Sequence, residues 1–263
     1  MSNEALPNTP ENEVEMGFFE HLGELRTRMI RALWGFLPCF SLAWIFRERL
    51  LDLLVQPLVV HWADRGLGEP QLHFANPVDP FVNYVKIALV FGLLLASPWV
   101  FWQLWGFISP GMYRHEKKIA IPFAFASTLF FAGGALFGYL VVFPGVFDTL
   151  LAFAGPLPSG TVKLTPTIMI GEYLNFATRL LIAFGVVFEV PVVVTTISLA
   201  GLVTAKQLLQ FGRWWIAIAA IVSAALTPPD VGSQLIMLGP MIVLYFLSVG
   251  IAFLIEKKRK SKG

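Results

Sequence analysis

The chain has 263 residues, of which 56% are hydrophobic and only 14% are charged, and its mean hydropathy is +0.70. A soluble domain of this size carries about 25% charged residues, so the composition argues against a cytosolic enzyme, a disordered protein and a nucleic-acid-binding protein, and it indicates a polytopic membrane protein. The net charge of +2 identifies no partner, and the single cysteine, Cys39, can form neither an internal disulfide nor a cysteine-based metal cluster.

The two ends of the chain differ from its centre. Residues 1–20 are polar and acidic and predict a disordered tail. They lack the basic start and the cleavage site of a signal peptide, so we expect the first apolar segment to be an uncleaved anchor. Residues 257–263 predict a basic cytoplasmic tail, and residues 21–256 predict a single all-α transmembrane domain.

Six segments are apolar enough to predict membrane-spanning helices, each of which needs about 20 residues. Their approximate bounds are 29–46, 81–105, 119–143, 172–197, 214–226 and 235–255. The fifth segment corresponds to only about 20 Å of helix, and the prolines of 227–230 end it. We therefore expect a short fifth helix, which either does not fully span the bilayer or lies where the bilayer is thinned.

The distribution of lysine and arginine predicts the orientation. If both ends lie on one side, the inner segments hold 13 of the 19 basic residues and the outer segments hold four, while Lys86 and Arg179 lie inside spans. Because basic residues concentrate in cytoplasmic segments, we expect both termini in the cytoplasm. A bacterial cytoplasmic (inner) membrane is the expected location.

Two outer connections are long. Residues 47–80 begin with a segment that is apolar on one helical face, which predicts an amphipathic helix on or near the outer surface. Residues 144–171 contain four prolines, and they form either an ordered cap or a flexible loop.

The sequence contains no motif of a known hydrolytic or phosphate-binding site, so we expect no enzymatic activity, no cofactor and no metal. Gly134 and Gly138 form a G-x-x-x-G pattern in the third span, which predicts close helix packing.

Three features call for a functional interpretation. Glu189 lies inside a span, where a carboxylate is costly and usually faces a cavity or a partner. Glu24 lies just before the first span, among arginines that the positive-inside rule explains. Phe107 and Glu116 lie in a short cytoplasmic connection, where an exposed aromatic ring would gain from covering a partner. Two carboxylates beside an aromatic surface suit a ligand with two guanidinium groups, although Glu116 could simply pair with nearby basic residues.

At these residues the chain resembles TatC, the core receptor subunit of the twin-arginine protein translocase. The similarity extends over about residues 18–256. The matching segments are HLGELRTR (21–28), QLWGFISP (103–110), YRHE (113–116), VFP (142–144), FGVVFEVP (184–191) and LTPPDV (226–231).

The resemblance implies a glove-shaped six-helix bundle that binds the twin-arginine signal peptides of folded proteins at its cytoplasmic face. It also implies that the protein nucleates a translocation site driven by the proton-motive force. Glu24 and Glu116 match the carboxylates that contact the arginine pair, and Leu25, Arg26 and Phe107 match residues that support them.

Other matched residues imply further contacts. Glu189 matches a carboxylate on the concave face that meets the inserted signal sequence and the polar residues of partner helices. Thr227 and Gln234 match a polar cluster that docks the single-span partners TatA and TatB. Pro57 and Asp230 match functionally sensitive positions of less defined role, and Gln103 belongs to a matched segment. Self-association and contact with lipid are also expected.

Three alternatives remain from the residues alone. A proton-coupled secondary transporter would use Glu189 as a proton site and Arg179 or Lys86 for an anion, but no internal repeat is visible. An intramembrane enzyme would need a nucleophile or a second carboxylate within the spans. A purely structural scaffold would tolerate replacement of Glu24, Phe107 and Glu116.

Overall fold

The computed structural model describes residues 18–65, 67–108, 120–156 and 163–260. The α-helices in these ranges are α1 (Phe18–Ile45), α2 (Arg47–Asp64), α3 (Asp79–Ile108), α4 (Ala120–Phe137), α5 (Phe143–Leu151), α6 (Ile170–Phe188), α7 (Val190–Leu199), α8 (Ala205–Leu226) and α9 (Val231–Lys260). A π-helical turn, Gly138–Val142, joins α4 to α5. The two-residue strands are β1 (Leu72–His73), β2 (Gly155–Pro156), β3 (Lys163–Leu164) and β4 (Ile168–Met169).

The described helices agree with six predicted spans. Five are long and apolar enough by themselves to cross a membrane: Asp79–Ile108, Ile121–Leu151, Ile170–Leu199, Ala205–Leu226 and Val231–Arg259. The sixth candidate is α1, which passes this test only together with α2, and the two helices are bent by 74° relative to each other. Helix α1 begins inside the segment that was predicted as a tail, and α9 continues to Lys260.

The fifth span is longer than the sequence predicted. It begins at Ala205 rather than at residue 214 and has 22 residues, the fewest among the five spans that qualify alone. This corresponds to about 33 Å, enough for the hydrocarbon core. The predicted start was wrong because Lys206, Gln207 and Arg213 interrupt the apolar pattern, although all three residue types favour helix. Thr204 caps the helix through a reciprocal hydrogen-bond pair with Gln207.

The helices pack as an open row. Helix α1 packs chiefly on α3, α3 on α4, α4 on α6, α7 on α9, and α9 on α8, so α1 and α8 lie at opposite ends. An open row of this kind agrees with the concave bundle that the resemblance implies. We call the face where α1 begins and α9 ends the terminal face, and the opposite face, which carries α2 and the strands, the cap face.

Small residues allow α4 to approach α6 closely. A Cβ atom at Gly134 would collide with the backbone carbonyl of Phe184, and one at Gly138 would crowd the side chains of Leu180 and Phe184. In return, a Cβ atom at Gly185 would overlap the ring of Phe131. The close packing predicted from the G-x-x-x-G pattern is therefore confirmed.

Two prolines determine where the long spans change geometry. A proline has no N–H, and its ring clashes with the carbonyl four residues earlier. Before Pro144 the chain widens into the π-helical turn, in which the N–H of Phe143 donates to the carbonyl of Gly138. Before Pro191 the chain breaks between α6 and α7, and Glu189 occupies the break.

The two long connections meet in an ordered cap. Helix α2 is amphipathic, as predicted, and its buried residues Leu54, Leu58 and Trp62 form part of the main core. Strand β1 of the first connection pairs in parallel with β4 of the second. Arg65 also donates to the backbone carbonyl of Asp148 at 2.8 Å. Of the two alternatives for residues 144–171, the described part thus forms a cap.

Pro57 explains how α2 is attached to the bundle. Because Pro57 lacks an N–H, the carbonyl of Leu53 loses its intrahelical donor. The hydroxyl of Tyr139, from the π-helical turn, donates to this carbonyl at 2.7 Å. The proline thus creates an acceptor that ties α2 to the third span.

We expect Tyr139→Phe to lower the free energy of unfolding by about 1 kcal/mol, because the Leu53 carbonyl loses its donor. Thermal unfolding in detergent measures this change. In a Pro57→Ala background the same substitution should cost less, since the new N–H of residue 57 can donate to Leu53. Tyr84→Phe is the control, because that hydroxyl has no hydrogen bond within the described ranges. Equal losses in both backgrounds would contradict the assignment.

Candidate functional site

Glu24 occupies a half-buried position at the terminal-face end of α1. Its Oε1 accepts hydrogen bonds from Nε and Nη2 of Arg28 at 2.9 and 2.7 Å. Its Oε2 is buried and has no hydrogen-bond partner among the residues that the structure describes. A buried carboxylate oxygen without a donor is costly, so this atom is a candidate acceptor for a ligand.

The end of α3 completes this site. Phe107 stacks on His21 with ring centroids 4.3 Å apart, and the guanidinium of Arg28 lies directly against Gly106. Phe107 is therefore half-buried rather than exposed, which corrects the expectation from the sequence. Residues 21–28 and 106–107, distant in sequence, form one surface; we call Glu24, Arg28, His21 and Phe107 the terminal-face site.

The remaining residues predicted for this site have different positions. Leu25 is half-buried and belongs to the side of α1 that faces α3, whereas Arg26 is exposed on the opposite side of the helix. Gln103 is buried in α3, and its Oε1 finds no hydrogen-bond partner in the described ranges. Glu116 lies outside the described residues.

Glu189 belongs to a second polar site, inside the bundle. The hydroxyl of Ser127 on α4 lies beside the carboxyl of Glu189. Ser127 also accepts a hydrogen bond from Nε1 of Trp105 on α3, at 2.9 Å. Glu189 Oε1 remains buried without a hydrogen-bond partner among the described residues. A chain of polar groups thus connects three spans, and it ends in a carboxylate oxygen with spare acceptor capacity.

The depth of this second site follows from Ser127. It lies seven residues after the start of α4, which is about 10 Å of helix from the terminal face. Trp105 lies only two residues before Phe107 on α3, so the same turn contributes to both sites. Sequence reasoning missed Ser127 and gave no role to Trp105; a serine among the aromatic residues of α4 was the available signal.

A third polar cluster lies at the cap-face junction of α8 and α9. Thr227 is buried and donates to the carbonyl of Ser223, and the Ser223 hydroxyl donates to the carbonyl of Gln234 at 2.7 Å. Asp230 caps α9, since its Oδ2 accepts from the N–H of Ser233 at 2.7 Å. We call these residues the junction cluster. It brings Thr227 and Gln234 together, and it gives Asp230 a structural role.

These sites offer hydrogen-bond acceptors rather than reactive groups. No group of three or more histidine, cysteine, aspartate or glutamate side chains that could hold a metal ion occurs in the described part of the chain. The buried acceptors without a partner there include Glu24 Oε2, Glu189 Oε1 and Asp230 Oδ1. Such oxygens suit donor-rich cations, of which guanidinium has the most N–H groups.

Comparison with known proteins identifies close relatives. The sequence model of the family described as Sec-independent protein translocase protein (TatC) matches residues 20–240. The chain is 39% identical over 249 residues to the Sec-independent protein translocase protein TatC of Desulforapulum autotrophicum, covering 95% of this chain and 88% of the relative. It is 35% identical over 248 residues to the protein of that name from Koribacter versatilis, covering 94% and 89%.

A solved structure has the same fold. The crystal structure of the twin-arginine translocase receptor TatC in DDM is similar with a TM-score of 0.78 and 34% identity, and the match covers 89% of this chain and 99% of that one. These relatives give no support to a secondary transporter.

We expect Ser127→Ala to lower the free energy of unfolding by about 1–3 kcal/mol, because the buried Trp105 N–H loses its acceptor. Chemical or thermal unfolding of the purified protein measures the loss. Thr128→Ala is the matched control: the Thr128 hydroxyl donates to the carbonyl of Ala124 in its own helix, so its removal leaves no side chain of another span without a partner. A Thr128→Ala loss as large as that of Ser127→Ala would contradict the polar chain.

Proposed function

The chain belongs to the TatC family of Sec-independent protein translocase proteins, and from this membership we propose that it is a receptor for twin-arginine signal peptides. Folded proteins that carry such a peptide dock at the terminal-face site before they cross the membrane. The single observation that carries this proposal is the buried Oε2 of Glu24, which has no donor in the described residues and lies beside the surface formed by His21 and Phe107.

The chemistry of Glu24 supports selection of arginine. Arg28 already occupies Oε1, so Oε2 is left for one N–H of an incoming guanidinium. A charge-assisted hydrogen bond in a half-buried position is stronger than one in bulk water. The peptide's second arginine is assigned to Glu116, and Arg26, exposed on the other side of α1, contributes to the surrounding charge.

The orientation follows from charge. The terminal face carries most of the basic residues, including Lys206 at the start of the fifth span and the run that ends α9. We place this face in the cytoplasm of a bacterial cell, with the spans in the inner membrane. This orientation puts the arginine-binding site where newly folded substrates arrive.

Glu189 has a different task in this proposal. The apolar part of the signal peptide lies along the open row of helices, and Glu189 Oε1 offers it, or a polar residue of a partner helix, an acceptor inside the membrane. The shared turn of α3 brings this carboxylate near the terminal-face site. A peptide bound at Glu24 can therefore continue into the bundle next to Glu189.

Docking of the single-span subunits TatA and TatB is assigned to the junction cluster. The Thr227 hydroxyl is already used within the chain, whereas the amide of Gln234 makes only a 3.4 Å hydrogen bond to the carbonyl of Ala220. Of these two residues, Gln234 is therefore the one with capacity for a partner. Together with self-association, this docking would assemble the translocation site that the proton-motive force drives.

Glu24→Gln should reduce binding of an Arg-Arg signal peptide by about tenfold, since the amide weakens the charge-assisted hydrogen bond. Binding is measured in native membranes with a photo-crosslinking residue in place of Ile108, whose side chain is exposed. This position leaves the contact between Phe107 and His21 intact. A Lys-Lys peptide should crosslink weakly to the native chain. Its yield should be similar to that of the Arg-Arg peptide with the Glu24→Gln variant.

The control for this experiment is Glu20→Gln, which removes an exposed carboxylate one turn earlier on α1. It should leave crosslinking unchanged. Equal crosslinking of the Arg-Arg and Lys-Lys peptides to the native chain would show a general hydrophobic contact and refute arginine selection.

Gln234→Leu should lower co-purification of TatA and TatB severalfold while the fold persists, because it removes the amide of the junction cluster that makes only a long hydrogen bond within the chain. Thr227→Ser, which retains the hydroxyl that caps α8, should co-purify both partners normally. Blotting after gentle detergent extraction measures both variants. Normal recovery with Gln234→Leu would move the docking surface away from this cluster.

A further inference from the structure

A cavity of about 310 Å³ opens on the cap face between the first turns of α3 and α6. Its polar lining includes Asp79, Asn83, Lys86, Glu172 and Asn175. No part of the proposed receptor function uses it. Its volume is at the lower end for small-molecule sites, which matches a compact polar group rather than a peptide.

Lys86 is the cation of this cavity. It lies seven residues into α3, about 10 Å below the cap-face end of that helix. Its Nζ donates to Oδ1 of Asn175 at 2.7 Å, and no carboxylate in the described ranges is within ion-pair distance of it. An ammonium has three N–H donors, so Lys86 retains donor capacity inside a span.

The second basic residue inside a span lies nearby. Arg179 is exposed on α6, one turn beyond Asn175. Both α3 and α6 begin at the cap face, and helical side chains lean toward the start of their helix. Lys86 and Arg179 therefore both lean toward the cap face, where they create a positive region at the depth of one membrane leaflet.

The mouth of the cavity combines negative charge with apolar surface. Glu172 is exposed there, whereas Asp79 is partly satisfied, because its Oδ2 accepts from the backbone N–H groups of Ala75 and Asn76. Phe74 and Val82 line the same cavity with 57% and 42% of their surfaces exposed. An apolar rim next to the half-buried cation Lys86 is the pattern expected where a site opens toward lipid.

We propose that this cavity binds the headgroup of a phospholipid in the cap-face leaflet. The phosphate contacts Lys86, the acyl chains leave over Phe74 and Val82, and Glu172 meets a cationic group of the headgroup. The carboxylates of Glu172 and Asp79 repel a purely anionic headgroup, so the site favours one that carries an amine beside its phosphate. Free phosphoethanolamine has the same polar chemistry but cannot use the apolar rim.

Native mass spectrometry of the full chain, stripped of lipid by detergent, tests the proposal. Added phosphatidylethanolamine should bind at a single high-affinity site, and Lys86→Gln should weaken it by about tenfold. Lys86→Arg should retain binding. Arg49→Gln removes an exposed basic residue of α2 and should change nothing. Unchanged binding in Lys86→Gln would refute the site.

The second arm tests the selectivity and does not depend on Lys86. Glu172→Gln changes an exposed side chain and should narrow the preference for phosphatidylethanolamine over phosphatidylglycerol. An unchanged preference would overturn the role of Glu172. If soluble phosphoethanolamine competes as well as the lipid does, the ligand is a free phosphate ester and the lipid assignment is wrong.

Discussion

The need to satisfy backbone carbonyls that prolines release inside the helices is the constraint on which the rest of this structure depends. Hydrocarbon offers no hydrogen bonds, so a carbonyl that a proline releases needs a donor from elsewhere in the protein. Otherwise the helix must change its geometry, so that no carbonyl is left without a donor. Pro57 releases the Leu53 carbonyl, and Tyr139 donates to it. Pro144 imposes a π-helical turn, and this turn presents Tyr139 to α2. Pro57 in the cap helix α2 and Pro144 in the third span thus determine how the cap attaches to the bundle.

The third proline determines the position of the membrane carboxylate. The break before Pro191 separates α6 from α7 and leaves Glu189 at the junction, where Ser127 reaches it. Ser127 in turn receives the indole N–H of Trp105. Because Trp105 and Phe107 share one turn of α3, packing at this helix end aligns the membrane carboxylate with the surface around Glu24.

The sequence predicts the spans and the packing glycines well, because apolar runs and small residues at helical spacing have direct physical meanings. It fails at the start of the fifth helix, where Lys206 and Arg213 favour helix but interrupt the apolar pattern. It also fails for Ser127 and for the pairing of β1 with β4, since these depend on contacts between distant segments. Glu189 stands out by its cost in a membrane, whereas the serine that stabilises it has no such signal.

The ion pair of Glu24 with Arg28 has a consequence for the kinetics of substrate exchange. The carboxylate already carries one guanidinium from its own chain, so an arriving arginine meets a neutral pair rather than a bare negative charge. Long-range attraction is therefore weak, and recognition depends on short-range hydrogen bonds that form only after contact. Weak long-range attraction slows the approach of a substrate, whereas the short-range hydrogen bonds set how long it stays bound. Discrimination between arginine and other cations therefore arises in the bound state and not during the approach.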